Sequence, residues 1–197
     1  TNILNAYGNI IIEDTITKKL ILSEEATYFK NLEKFSLKKN VLIQDKIKQR
    51  FISAQEATYF QNTENFNVKI DVFIDDKIKN QNLYADEVSY SKKDETYKTI
   101  GSSRILIKNK YQINSKNITY SIKEDKINSN YKTTIKDKNN QVYNLDKFQL
   151  LIENEELAGE NVLVISNFGL PKSDQIYFKS GIFNLKNQKF VGKEPQI

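Results

Sequence analysis

Glu24-Glu25-Ala26-Thr27-Tyr28-Phe29 returns 31 residues later as Gln55-Glu56-Ala57-Thr58-Tyr59-Phe60. At 31 again stands Glu87-Val88-Ser89-Tyr90. Steps of 30 then lead to Asn117-Ile118-Thr119-Tyr120 and Lys147-Phe148-Gln149-Leu150, and a step of 33 to Ser180-Gly181-Ile182-Phe183. Other columns keep the same step. Phe35 and Leu37 become Phe66 and Val68, then Tyr97 and Thr99; Ile10 and Ile12 become Val41 and Ile43, then Val72 and Ile74. Asp14, Asp45 and Asp76 share a further column. Six copies of one 30–33-residue unit cover residues 1–197, so the chain reads as a single repeat domain without a linker.

Within each unit the apolar period is two. Phe35-x-Leu37, Val41-x-Ile43, Ile52-x-Ala54 and Ala57-x-Tyr59 alternate apolar with polar or variable residues, the mark of strands with one buried face. The parity slips between Ala54 and Ala57, and again between Ala85 and Val88. A slip of one residue turns every later side chain to the wrong face, so a bend or bulge is expected at this column. Asp75-Asp76-Lys77, Lys138-Asn139-Asn140 and Ser173-Asp174 supply turn chemistry. Two bent strands per unit give about a dozen in all. A parallel β-helix would hold such a repeat, but strand, polar turn, strand favours antiparallel hairpins. The expected fold is all-β: repeated antiparallel bent hairpins stacked into an elongated, folded-over jelly roll with open ends.

Composition removes most catalytic chemistry. There is no His and no Cys, which excludes a Ser-His-Asp triad, a thiol nucleophile, a zinc ribbon and a disulfide framework. Lysine outnumbers arginine 28 to 2, with Arg50 and Arg104 the two arginines, against the habit of nucleic-acid binders. The net charge of +5 is spread along the chain. Glu24-Glu25 and Glu155-Glu156 are read as strand neighbours facing opposite sides, so neither makes a glycosidase pair. No enzyme activity, cofactor, metal or nucleic acid is expected. The chain starts at Thr1 without Met or an apolar signal region, which suggests a processed chain or a fragment.

The unit (apolar-x-apolar, Val-x-Ile, polar turn, apolar-x-Ala-x-x-Ala-x-Tyr) resembles the OstA-like family of lipopolysaccharide-transport proteins, which includes LptA, LptC and the N-terminal domain of LptD. The later copies look most like the periplasmic domain of LptD: Lys126-Ile127-Asn128-Ser129, Thr134-Ile135-Lys136-Asp137, Asn140-Gln141-Val142-Tyr143, Leu157-Ala158-Gly159-Glu160-Asn161-Val162 and Phe190-Val191-Gly192-Lys193-Glu194-Pro195. The resemblance implies a β-groove for the acyl chains of lipopolysaccharide, on the periplasmic side of the outer membrane. Its implied partners are lipopolysaccharide, a homologous β-repeat bridge protein added end to end, and an outer-membrane barrel with its lipoprotein plug. The barrel would follow a chain that stops at Ile197 in mid-strand. Some LptD proteins carry disulfides here, and this sequence has no Cys. An LptA-like bridge and a structural or adhesive repeat with a dry core are the alternatives.

The residues assigned to the groove lining are Ile10, Ile12, Ile21, Phe35, Leu37, Val41, Ile43, Ile52, Tyr59, Phe66, Val68, Val72, Ile74, Leu83, Tyr90, Ile105, Ile113, Tyr120, Ile135, Leu150, Leu163, Ile165, Ile176, Phe178 and Phe183. The same stripe would form the core of any β-sandwich. The column Tyr28, Tyr59, Tyr90 and Tyr120 reads as packing residues with hydroxyls at the rim. The Asp14, Asp45 and Asp76 column reads as solvated turns. The first unit, around Leu4 to Ile16, is the expected docking edge for strand addition; the last, around Phe183 to Ile197, is expected to lead into the barrel.

Overall fold

The computed structural model describes residues 2–196 and, within them, the side chains up to Glu194. The reading at Thr1 and the mid-strand stop at Ile197 lie outside the described residues.

Seven long strands come first: β1 (Ile3–Asp14), β2 (Lys19–Phe29), β3 (Lys34–Asp45), β4 (Arg50–Phe60), β5 (Asn65–Asp76), β6 (Gln81–Ser91) and β7 (Thr96–Ile107). Each pairs antiparallel with the next. Six short strands follow: β8 (Tyr111–Lys116), β9 (Thr119–Ser121), β10 (Lys126–Ser129), β11 (Thr133–Asp137), β12 (Val142–Leu145) and β13 (Lys147–Leu151). The chain closes with β14 (Glu156–Ile165), β15 (Gln175–Asn184) and β16 (Lys189–Gln196). The fold is antiparallel all-β, as the alternation predicts.

Every long strand bends at its middle, and the bend is a bulge. Lys38 pairs with Glu56 and Val41 with Ala54, so Lys39 and Asn40 stand opposite Gln55 alone. The same two-against-one count sets Gly8 and Asn9 against Glu24, Ile70 and Asp71 against Asp86, and Gly101 and Ser102 against Asp86 from the other side. The first residue of each pair is left-handed, at φ 89° (Gly8), 62° (Lys39), 65° (Ile70) and 81° (Gly101). Such a bulge kinks the strand and restores inward parity beyond it. The parity slips seen in the sequence at Gln55 and Asp86 are these bends. Glu24, Gln55, Asp86 and Asn117, spaced by 31, present acceptors there. Asn40 Nδ2 donates to Glu24 Oε1 at 2.5 Å, Ser102 N to Asp86 Oδ2 at 2.8 Å and Gly101 N to Asn117 Oδ1 at 2.9 Å.

The bends line up as a spine along which the sheet folds over. Among β1–β7, half-sheet A holds the first half of each odd strand and the second half of each even one, and half-sheet B holds the rest. Their inner faces share one core, with Leu37, Val68, Val88, Ile113, Ile127, Ile135, Leu150 and Leu157 fully buried.

Among the described residues sixteen strands are present where the spacing suggests about a dozen. The sheet forks after β7: β8, β11, β12 and the end of β14 continue half-sheet B, while β9, β10, β13 and the start of β14 continue half-sheet A. Strands that are bent in the early units are cut in two here. Hydroxyls stand in where ladder partners are lost. Buried Thr99 Oγ1 accepts from Ser103 Oγ at 2.6 Å and from Ile118 N at 2.8 Å. Ser115 and Thr133 hydroxyls meet at 2.7 Å, and Ser129 Oγ donates to Lys116 O at 2.7 Å.

Gly101→Ala tests the spine. A methyl at this left-handed position runs into the Asp86 carboxylate that holds the Ser102 amide. The substitution is expected to cost about 1–2 kcal/mol in denaturant unfolding.

Candidate functional site

Alternation aims one side chain in two at the space between the half-sheets. Of the residues assigned to the lining, Ile21, Leu37, Val41, Ile43, Ile52, Tyr59, Val68, Val72, Ile74, Leu83, Tyr90, Ile105, Ile113, Tyr120, Ile135, Leu150, Phe178 and Phe183 belong to the buried interior cluster. Ile10, Ile12, Phe35, Phe66 and Ile176 pack against it partly exposed. Leu163 and Ile165 do not belong to it. They pair with Asn144 and Val142, on the face opposite Val162 and Val164. Val162-Leu163-Val164-Ile165 is apolar at every position, so its parity cannot be read without the neighbouring strand.

Several interior residues escaped the sequence reading, among them Tyr97, Tyr111, Tyr143, Phe148 and Leu157. Tyr97 carried a usable signal, because it stands in the column of Phe35 and Phe66. It completes an aromatic ladder on half-sheet A. Tyr28 stacks on Phe35 at 4.5 Å, Phe66 on Tyr90 at 5.1 Å, Tyr90 meets Tyr97 at 4.8 Å and Tyr97 meets Tyr120 at 6.3 Å.

Opposite the spine, the two half-sheets end in two rims of turns. Rim B comprises residues 15–18, 46–49, 77–80, 108–110 and 138–141; rim A comprises 30–33, 61–64, 92–95, 122–125 and 152–155. Nearly every turn carries a left-handed residue, and along each rim backbone amides donate to the carbonyls of such residues in the turn before. On rim B these bonds are Lys46 N to Lys18 O, Lys77 N to Gln49 O, Lys108 N to Asn80 O and Phe168 N to Asn140 O. On rim A they are Gln61 N to Glu33 O, Ile122 N to Glu95 O, Ile152 N to Asp125 O and Leu185 N to Glu155 O. Among the described residues no backbone hydrogen bond joins one rim to the other.

Charge and side chains span the gap instead. The rim B turns hold eight lysines and no Asp or Glu; the rim A turns hold eight Asp or Glu and four lysines. Lys19 Nζ reaches Glu64 Oε2 at 2.5 Å, Lys79 reaches Asp125 at 3.3 Å and Lys110 reaches Glu155 at 2.8 Å. Tyr111 Oη donates to the same Glu155 at 2.6 Å. Cations of half-sheet B also cover the aromatic ladder of half-sheet A: Lys19 lies 5.7 Å from the Tyr59 ring, Lys48 5.9 Å from Tyr90 and the Arg50 guanidinium 5.3 Å from Tyr97. The hydrogen bond from Lys19 holds Glu64 below the usual carboxylate range. Burial pushes Glu155 up, but the bonds from Lys110 and Tyr111 outweigh it and bring it down. Among the described residues Lys48 makes no ion pair; burial, then the charges of Lys92 and Arg50, keep its ammonium below the usual lysine range.

The aspartate column caps turns, as expected, but Asp76 departs from the solvated picture. Asp14 and Asp45 accept from the amides of their own turns. Asp76 does so through Lys79 N at 2.9 Å while its other oxygen takes Arg50 Nη2 at 2.5 Å, and both partners are only 9% exposed. Arg50 replaces Lys19 one unit on, and its planar fork can lie buried beside a carboxylate. Glu155 also differs from its expected strand position: it ends a rim A turn at φ 52°.

Between the half-sheets the space is largely filled. Cavities of about 40 and 30 Å³ lie beneath the seam, beside Arg50. At the β1 end a mouth of about 270 Å³ opens between Ile12, Ile21, Phe35 and Tyr59. The arrangement is an apolar interior, hinged along one side and laced by charge along the other.

No protein-family model and no curated protein matches the chain. Among solved structures it is similar to LptH of Pseudomonas aeruginosa, the LptA-homologous periplasmic component of the conserved lipopolysaccharide transport device. That likeness has a TM-score of 0.31 at 10% identity and covers 76% of this chain and 85% of that one. It is also similar to the TCP10 domain of Danio rerio CPAP in complex with a STIL peptide, with a TM-score of 0.15 at 8% identity over 79% of this chain and 92% of that one. Superpositions this loose carry no argument about function.

Two outcomes test the seam. Asp76→Asn leaves the buried Arg50 cation without its anion and is expected to cost about 3–5 kcal/mol, read by urea unfolding. The second concerns pH. Glu64 and Glu155 titrate below their ordinary value of 4.5 in the folded chain, so their contribution is present above that value and is lost as pH falls through the depressed one. The difference in Tm between the wild type and a Glu64→Gln/Glu155→Gln variant should therefore be present at neutral pH and close below pH 4.5.

Proposed function

We propose that the chain is a lipid-handling element of lipopolysaccharide transport, which takes acyl chains between its half-sheets and passes them along the interior. The supporting observation is the asymmetry of the two sides. Along the spine of β1–β7 the backbone of each strand runs from one half-sheet into the other, whereas among the described residues the rims meet only through side chains. Parting the rims breaks no strand pairing and exposes an apolar lining that runs from Ile12 to Phe183. Acyl chains would replace the contacts that the half-sheets make with each other, at roughly 0.8 kcal/mol per CH₂ removed from water. Apart from the buried Arg50–Asp76 pair and the hydroxyl cluster at the fork, the lining is aliphatic and aromatic, so it holds a chain without fixing its position.

The repeat pattern and the later-unit motifs support a reading within the OstA-like family, and the N-terminal periplasmic domain of LptD is the member we propose. In that reading the edge of β1, where Ile3, Leu4, Tyr7 and Ile11 are exposed, receives a strand of a homologous bridge protein. The opposite end faces an outer-membrane barrel and its lipoprotein plug. An LptA-like bridge would use both edges for homologues. A dry structural repeat is favoured by a different observation, the small size of the two internal cavities.

Photocrosslinking separates these readings. A probe at Tyr59, which faces inward, is expected to label lipopolysaccharide, while one at Phe60, on the outer face, is not. Equal labelling at both positions, or none in the folded protein, would sink the groove and leave the structural repeat.

A further inference from the structure

Rim B carries a feature that neither packing nor the groove uses. The second residue of its first three turns is Ile16, Ile47 and Ile78, a column spaced by 31. These side chains are 88%, 63% and 63% exposed. The two later turns carry lysines flanking the bend: Lys46-Ile47-Lys48 and Lys77-Ile78-Lys79. The next turn, Lys108-Asn109-Lys110, keeps the lysines. Farther along, Phe168 N donates to Asn140 O at 2.8 Å and brings the loop 166–174 into line, with Phe168 49% and Leu170 54% exposed.

We infer that rim B docks on an anionic lipid bilayer, with Ile16, Ile47 and Ile78 dipping among the acyl chains and the exposed lysines beside them, Lys46 and Lys77 foremost, lying at the phosphates. The charge is one-sided. The acids next to these turns, Asp14, Asp45, Asp76 and Asp137, are turned back onto turn amides, and Lys18, Lys46, Lys77, Lys108 and Lys138 stay exposed. Lys48, Lys79 and Lys110 are engaged across the seam, while Lys18, Lys46, Lys77, Lys108 and Lys138 make no ion pair among the described residues. Adjacent tips stand two strands apart, about 9–10 Å. Isolated aliphatic tips at that spacing form no contiguous apolar patch and no pocket, and the turns hold no Arg, Tyr or Trp, so they lack the anchors of a protein interface. A fluid interface asks for neither: it accepts separate apolar tips and rewards lysines beside anionic headgroups. The acidic rim A is repelled by the same surface, which leans the molecule onto rim B.

This inference does not depend on the groove holding lipid. It is tested on the chain itself with vesicles of phosphatidylcholine alone, or mixed three to one with phosphatidylglycerol. The protein has no Trp, so Ile47→Trp on rim B and Leu32→Trp on rim A are unique reporters. The expected result is a blue shift of Ile47→Trp with the mixed vesicles, little shift with phosphatidylcholine, and none for Leu32→Trp. Ile47→Ser/Ile78→Ser and, separately, Lys46→Gln/Lys77→Gln should each lower co-sedimentation with the mixed vesicles by roughly tenfold. Circular dichroism reads whether each variant keeps its fold; the exposed turn positions are chosen so that it does. Equal shifts at both reporters would mean unspecific adsorption and overturn the inference, as would no binding. Salt-reversible binding without any shift would assign rim B to a soluble polyanion instead, and would also overturn it.

Discussion

The bulge at the middle of each long strand is the constraint on which the rest of the molecule depends. A straight twelve-residue strand such as β3 would carry its inward residues along one flat face with nothing to cover them. Two residues opposed to one at Lys39-Asn40 and Gln55 kink the pair and return the apolar positions to the inner side. Repeated at a fixed step, the kinks align, and one sheet covers itself. The cost is a left-handed residue at each odd-strand bend, met by glycine at Gly8 and Gly101 and carried by Lys39 and Ile70 in between. Side-chain acceptors from the neighbouring strand hold the freed amides there.

Folding over creates two sides of unequal strength. The spine is crossed by the backbone of each long strand, which ties the two half-sheets covalently. The rims are held by ion pairs that reach partly exposed side chains, and each such pair is worth about 1 kcal/mol or less. Most of the attraction across the mouth therefore comes from apolar packing beneath it, with opposite rim charges setting which turns meet. Arg50 and Asp76 are the exception. They are buried, and they tie the floor of the mouth to Tyr97 from the other half-sheet. In an interior closed in this way, parting the rims would break no strand pairing, which is what the proposed passage of acyl chains requires.

The fork after β7 shows how a repeat ends its own regularity. From Asn117 onward the bends become breaks, and the two half-sheets run as separate arms until β14 spans both again. Ser103, Thr99, Ser115, Ser129 and Thr133 cluster at this point, where the core of the earlier units is aliphatic. Their hydroxyls satisfy backbone and one another inside the protein, so the fork is a built element.

Much of this was legible in the residues. The 31-residue step, the alternation and the parity slips at Gln55 and Asp86 are local properties, and they determined the antiparallel strands, the bends and most inward side chains, Leu37, Val68 and Ile113 among them. Where alternation fails, facing cannot be read: Leu163 and Ile165 sit in an all-apolar run whose facing is set by Asn144 and Val142 across the ladder, and they lie outside the interior cluster although Ile165 is itself buried. Only the tertiary structure decided the seam. Lys79 meets Asp125 from 46 residues away, and Lys110 meets Glu155 from 45. The lysine and acid columns can be traced in the sequence, but their meeting depends on how far the sheet folds over and on the stagger of one half-sheet against the other. Periodicity along the chain carries neither quantity, because both are set by packing between surfaces that are distant in sequence.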